Sequence, residues 1–130
     1  MRQSKKKMRN KEEEHLQINC ISWFDYQYPK LQKLLFAVPN GGSRNILEAV
    51  NLKKQGVRAG VSDLVLLYSS TQYPFLCLEF KAKKGVQSKE QKEFQKSVES
   101  VGGLYVLIRS FDEFKIIIEK YLSDSSFILK

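Results

Sequence analysis

Val61-Ser62-Asp63-Leu64-Val65-Leu66-Leu67-Tyr68, then Ser69-Ser70-Thr71-Gln72-Tyr73-Pro74, then Phe75-Leu76-Cys77-Leu78-Glu79-Phe80-Lys81, decide how this chain is read. The outer two stretches are rich in β-formers and the polar connector ends in proline, which predicts an antiparallel hairpin. The connector is centred between Thr71 and Gln72, and the midpoint of Asp63 and Glu79 is position 71, so the two carboxylates should lie nearly opposite each other. Side chains alternate faces along a strand, so Glu79 and Lys81 share a face, and a directly paired Asp63 shares it too. The convergence depends on register: a slip of one residue would turn Asp63 to the other face.

Glu-x-Lys on a strand is also the pattern of an exposed ion pair, and aspartate at a strand start is a common turn residue. The context favours a site. Leu76, Leu78 and Phe80 bury one face, and the helices expected before and after the hairpin can cover much of the other, so charges there need a reason. Two carboxylates facing across a sheet repel each other unless a cation sits between them. With oxygen donors and no His or Cys at ligand spacing, the cation expected is Mg²⁺ or Mn²⁺. Such an ion polarises a phosphate and activates water. Lys81 could position or deprotonate that water, or stabilise negative charge in the transition state.

Working outward, Leu16, Ile18, Ile21, Trp23 and Phe24 give a helix from Lys11 that stops before Tyr28-Pro29. Leu34–Val38 reads as a strand, ended by the turn residues Pro39-Asn40-Gly41-Gly42. Asn45 with Glu48 can cap a second helix over about 45 to 55, closed by Gly56. Ser88 with Gln91 opens a third, with Phe94, Val98 and Val101 apolar until Gly102-Gly103. Leu104–Ile108 is a fourth strand. Ser110 and Glu113 open a last helix that turns Phe114, Ile117, Ile118 and Tyr121 inward. The expected order is α-β-α-β-β-α-β-α.

A chain of 130 residues holds one core, and no apolar run approaches the roughly 20 residues needed to cross a bilayer. We expect a basic arm over 1–10 and a single domain over 11–130, with no membrane association. No secretory signal is evident, so the expected setting is intracellular and cytoplasmic. Cys20 and Cys77 read as small core residues. Of the net charge of +8, Arg2, Lys5, Lys6, Lys7 and Arg9 place +5 in the first ten residues, which modestly favours a nucleic-acid partner over a merely solvated tail.

Gly56-Val57-Arg58-Ala59-Gly60-Val61-Ser62-Asp63, Leu78-Glu79-Phe80-Lys81 and Ser88-Lys89-Glu90-Gln91, in that order, resemble the virus-type replication-repair nuclease (VRR-NUC) domain of the PD-(D/E)xK superfamily. Leu35–Arg44 is similar to the family's segment before its second helix, so the likeness runs over about residues 12 to 121. It implies an α/β fold, an αβββαβ restriction-endonuclease-like core with a central mixed sheet flanked by helices. It also implies that Asp63 and Glu79 are metal ligands and Lys81 the catalytic lysine, with Gln91 flanking the site. Capping by Ser88 competes for Gln91. The family's glutamate from the first helix falls on Glu12, Glu13 or Glu14, of which Glu13 is favoured. One departure is Ser62, where the superfamily pattern has proline.

Asn40, Gly41, Gly42 and Arg44 are candidates for a DNA-facing loop, a tight turn being the plain alternative. Lys83, Lys84, Lys89 and Lys92 could line a phosphate track or simply be solvated. His15 reads as exposed or packed, not as a base. Small single-domain members of the family resemble resolvases of four-way DNA junctions, so the expected activity is a metal-dependent, structure-specific DNA endonuclease. Symmetric cutting by one active site per chain would call for a homodimer. A phage-encoded protein acting on DNA in its host falls within the same resemblance. Competing readings are a restriction-like or general nuclease on duplex or flap DNA, and an inactive nucleic-acid-binding module.

Overall fold

In a computed structural model, residues 2–39 and 45–123 are described, the side chains of 2–7 and 9 excepted. Asn40, Gly41, Gly42 and Arg44, the expected DNA-facing loop, lie outside them. Four helices and four strands follow in order: α1 (Arg2–Gln27), β1 (Leu35–Ala37), α2 (Ile46–Lys54), β2 (Leu64–Leu66), β3 (Leu76–Phe80), α3 (Lys89–Ser100), β4 (Leu104–Ile108) and α4 (Phe111–Ser123). This is the order that the sequence implies, with a 3-10 segment, Pro29–Leu34, added before β1.

The sheet runs β1-β2-β3-β4. β1 and β2 pair antiparallel, as do β2 and β3, while β3 and β4 are parallel, with α3 as the crossover. The sheet is therefore mixed, as expected of an α/β fold of this kind. Leu64 pairs with Leu78 and Leu66 with Leu76. Both pairs sum to 142, and so do 63 and 79, which is the register that the hairpin's symmetry requires.

β3 is buried along its whole length. Leu76, Leu78 and Phe80 point into the larger core with Cys20 and Phe24 of α1, Leu64 and Leu66 of β2, and Phe114 and Ile118 of α4. On the opposite face Cys77 packs with Val98 of α3 and Tyr105 of β4. Helices thus cover both faces of the central strand, so a polar group there must be satisfied by protein or ligand.

Four local expectations change. α1 begins at Arg2 instead of Lys11. No Gly or Pro interrupts 2–27 and the Lys, Arg, Gln and Met of the basic stretch are good helix formers, so the helix propagates through it. The core-facing stripe of α1 runs through half-buried Leu16 and buried Cys20 and Phe24 at a spacing of four, and Ile18 is 53% exposed on another side. Val101 closes α3 as its C-cap and is exposed, because the helix ends before that position can turn inward. Three of the predicted strands also shorten to three to five residues, while Leu104–Ile108 keeps its predicted bounds.

In α4, Phe114, Ile118 and Tyr121 are buried as the spacing demands. The Ser110 hydroxyl accepts from the Glu113 N–H at 3.1 Å, and the Glu113 carboxylate accepts from the Arg109 N–H at 2.8 Å. Asn45 caps α2 by accepting from Leu47 N–H at 2.9 Å. Both cysteines are buried and free, and burial pushes the Cys20 thiol up to about 12, which leaves it unreactive.

Candidate active site

The ladder of β2 and β3 stops at Leu64–Leu78, and just beyond it the Phe80 N–H donates to Asp63 Oδ2 at 2.7 Å. A bond of that length to a carboxylate fixes the side chain against β3. Asp63 is itself positioned by the chain before it. The Ser62 hydroxyl, fully buried, donates to the Leu64 carbonyl at 3.0 Å. Serine thereby shapes the bend where the superfamily pattern has proline. Val38 N–H donates to the Asp63 carbonyl at 2.9 Å and ties the same bend to β1.

Gly60, three residues earlier, has φ +83, and a Cβ there would stand 2.4 Å from the Glu90 carbonyl carbon and oxygen. Only glycine lets the segment before Asp63 press against the start of α3 in that conformation. The glycine of the Gly56–Asp63 stretch is thus a packing requirement that brings three elements to one place.

Glu79 is 2% exposed, yet ionisable. Burial, then the Asp63 charge and a hydrogen bond shared with Asp63, push its carboxyl up to about 9. Glu13 adds to the rise, and the Lys81 ammonium works against it. Gln91 Nε2 donates to Glu79 Oε2 at 3.2 Å while Gln91 Oε1 accepts from Ser88 N–H at 2.8 Å. The two roles that compete in the sequence are filled by one side chain, the amide's donor end serving the carboxylate and its acceptor end the helix cap. The Tyr105 hydroxyl stands 3.5 Å from Glu79 Oε1 and accepts from Gln87 Nε2 at 3.4 Å.

Lys81 is 9% exposed, and its main-chain N–H continues the pairing with β4 by donating to the Ile108 carbonyl at 2.9 Å. Of the three glutamates on α1, Glu13 is half-buried and accepts from the Ala82 N–H at 3.4 Å, whereas Glu12 and Glu14 are exposed. A cleft of about 490 Å³ runs beside Asp63, walled by Glu13, Glu14, Gln17, Ile18 and Ile21 of α1. Lys83, Lys84, Lys89 and Lys92 are exposed, and so is His15.

Asp63 and Glu79 fit a hard divalent cation: both are oxygen donors, and their proximity is costly for two anions. Among the described residues no three Asp, Glu, His or Cys side chains group to hold an ion. An ion here would keep waters and take up phosphate oxygens, as Mg²⁺ habitually does.

Sequence reasoning passed over Tyr105, Gln87 and Arg109. Tyr105 reaches Glu79 only through the parallel register that sets Cys77 beside Tyr105, and a crossover register leaves no symmetry in the sequence from which to read it. Arg109 looks like an ordinary charge at a strand end; its contacts depend on the turn after Lys81.

A family model described as "VRR-NUC domain" matches residues 3–112. A solved structure described as "VRR_NUC domain protein" aligns with a TM-score of 0.76 at 24% sequence identity, over 89% of this chain and 92% of its own; it establishes the fold. No curated protein matches. No helix among the described residues is long and apolar enough to cross a membrane. With 110 of its 130 residues inside the matched span, the chain belongs to the VRR-NUC domain family, nucleases of the PD-(D/E)xK type.

Proposed function

We propose that the chain is a Mg²⁺- or Mn²⁺-dependent DNA endonuclease acting as a homodimer on branched DNA, four-way junctions foremost. The observation that carries the reading is the confrontation of Asp63 with buried Glu79, whose carboxyl is pushed up to about 9. Folding sustains such a conflict where a bound cation resolves it. The bound ion supplies polarisation of the scissile phosphate and a more acidic water.

The chain's own residues do the rest. Asp63 and Glu79 would hold the ion, with Glu13 of α1 as a further acidic residue near it. Gln91 keeps the Glu79 carboxylate turned toward it, and Lys81 orients the attacking water and offsets the charge that builds on the phosphate. Lys83, Lys84 and Lys89 stand exposed close to this edge in sequence and supply phosphate contacts that set the DNA's path. In the same reading Asn40, Gly41, Gly42 and Arg44, which lie outside the described residues, also contact DNA. One site per chain cuts one strand, so two symmetric nicks across a junction call for two chains related by a twofold axis.

The test is cleavage of end-labelled four-way junction, flap and linear duplex with Mg²⁺ or Mn²⁺, with Lys81→Ala as control and light scattering for chain number. Paired symmetric nicks in the junction, well above cutting of linear duplex, are the expected result. Equal cutting of linear duplex would remove the junction preference, and sequence-specific cutting would move the protein to the restriction-like class.

A further inference from the structure

Lys81 lies one residue beyond β3 yet is 9% exposed, so something past the strand covers it. The cover is the turn that follows. Gly85 N–H donates to the Ala82 carbonyl at 2.9 Å, closing the turn, and Gly85 comes back over the lysine so that a Cβ on it would lie 3.6 Å from Lys81 Cδ. The small side chain of Ala82, 2% exposed, is the turn's one apolar anchor, and Lys83 and Lys84 at its tip are exposed and mutually repelling.

The guanidinium of Arg109 holds it down. Arg109 Nη1 donates to the Ala82 carbonyl at 2.8 Å, to the Gly85 carbonyl at 2.8 Å and to the Lys83 carbonyl at 3.3 Å. The two short bonds use both hydrogens of that nitrogen, with Lys83 sharing one. Arg109 is in turn fixed at its main chain, whose N–H donates to the Glu113 carboxylate at the start of α4. The residue before it, Ile108, accepts from the Lys81 N–H, so the root of the arginine and the root of the lysine lie side by side.

We infer that Arg109 is a positioning residue for Lys81: by tying the Ala82–Gly85 turn over the lysine's stem, it fixes where the ammonium stands relative to Asp63 and Glu79. The inference rests on the nuclease reading above and on Lys81 being its catalytic lysine. Arg109 has no part in metal binding. Freed of it, the turn lifts and Lys81 samples several rotamers, and a misplacement of about 1 Å is enough to slow an enzyme by about 100-fold.

The experiment is a double-mutant cycle with Arg109→Gln and Lys81→Ala, read by single-turnover cleavage of the DNA the wild type cuts best, together with Mn²⁺ binding by calorimetry. Expected are a loss of about 10- to 100-fold in the cleavage rate for Arg109→Gln, a DNA KM within twofold of wild type, unchanged Mn²⁺ affinity, and no further loss when it is added to Lys81→Ala. A merely structural arginine would give the same loss in both backgrounds, and that additive result overturns the inference while leaving the nuclease reading intact. Should Arg109→Gln fail to fold by circular dichroism, Arg109→Lys, which keeps one charged donor, is put through the same cycle under the same criterion. A wild type that cuts no DNA with either ion would overturn the nuclease reading and this inference together.

Discussion

Of the two acidic residues at the end of the hairpin, only Glu79 is buried. Glu79 sits under α3 at 2% exposure, and its carboxyl binds a proton with a value raised from the ordinary 4.5 to about 9. The folded state thus holds that proton more tightly than the unfolded chain. The stability it lends is complete below the ordinary carboxylate value and is lost as pH rises through about 9. The metal-free protein should accordingly melt at lower temperature as pH is raised from 5 to 9. Glu79→Gln, which cannot ionise, should flatten that dependence, and Mg²⁺ at pH 8 should raise the melting temperature of the wild type but not of the variant. Scanning calorimetry at several pH values checks all three, and parallel pH slopes for the two proteins would contradict the account. Gln91 can be separated from its cap in the same manner. Ser88→Ala removes the helix cap at a cost of about 1 kcal/mol and leaves the amide on Glu79. Gln91→Ala keeps the Ser88 cap on its main-chain N–H, removes the amide from both Ser88 N–H and Glu79, and should weaken Mn²⁺ binding by about 10- to 100-fold, whereas Ser88→Ala should leave it within a factor of two.

Elements were legible in the sequence where their signals were local. Ser88 with Gln91, Ser110 with Glu113 and Asn45 mark helix starts that the structure keeps, and the centre of the β2–β3 connector fixed the register because an antiparallel hairpin is symmetric about its turn. Signals failed where long-range packing decides. The parallel pairing of β3 with β4 depends on α3 as a spacer, so the neighbours it brings to Glu79 and Lys81, Tyr105 and Arg109, carried no mark in the sequence. Ile18 failed for a related reason, since an apolar residue on α1 faces the core or the cleft beside Asp63 according to where the sheet lies. Gly56 and Gly60 show the same division. Both have positive φ, but a Cβ on Gly56 meets nothing within 4 Å, whereas one on Gly60 runs into the backbone of Glu90. Gly56→Ala should therefore cost about 1 kcal/mol from the left-handed backbone alone. Gly60→Ala adds overlap with α3 and should cost about 3 kcal/mol in all. Urea denaturation measures both, and only the Gly60 variant should also lose cleavage activity, because it pushes the Asp63 segment away from Glu79.

Across the whole molecule, charge is the property that the sheet does not organise. The net charge is +8, of which Arg2, Lys5, Lys6, Lys7 and Arg9 contribute +5 and the other 120 residues +3. Because α1 begins at Arg2, the backbone carrying these five cations is a helical continuation of the element that brings Glu13 to the site. From Arg2 to Arg9 such a helix rises about 10 Å, which spans about six phosphates at one duplex charge per about 1.7 Å. Five cations are thus available against about six phosphates over that length. Each phosphate neutralised contributes about 0.9 to the slope of log affinity against log salt. Replacing the five cations by glutamine should lower that slope by up to about 4.5, and replacing Lys83, Lys84 and Lys89 by alanine should lower it by up to about 2.7. The cleavage rate at saturating DNA should change little in the first variant, since none of its residues lies beside Asp63 or Glu79 in the chain. Filter binding from 50 to 300 mM salt, in the absence of divalent ions, gives the slopes directly. An unchanged slope for the first variant would mean that the helical start of α1 stays clear of the DNA, and the basic charge that contacts phosphate would then have to lie on the turn after Lys81 and the start of α3.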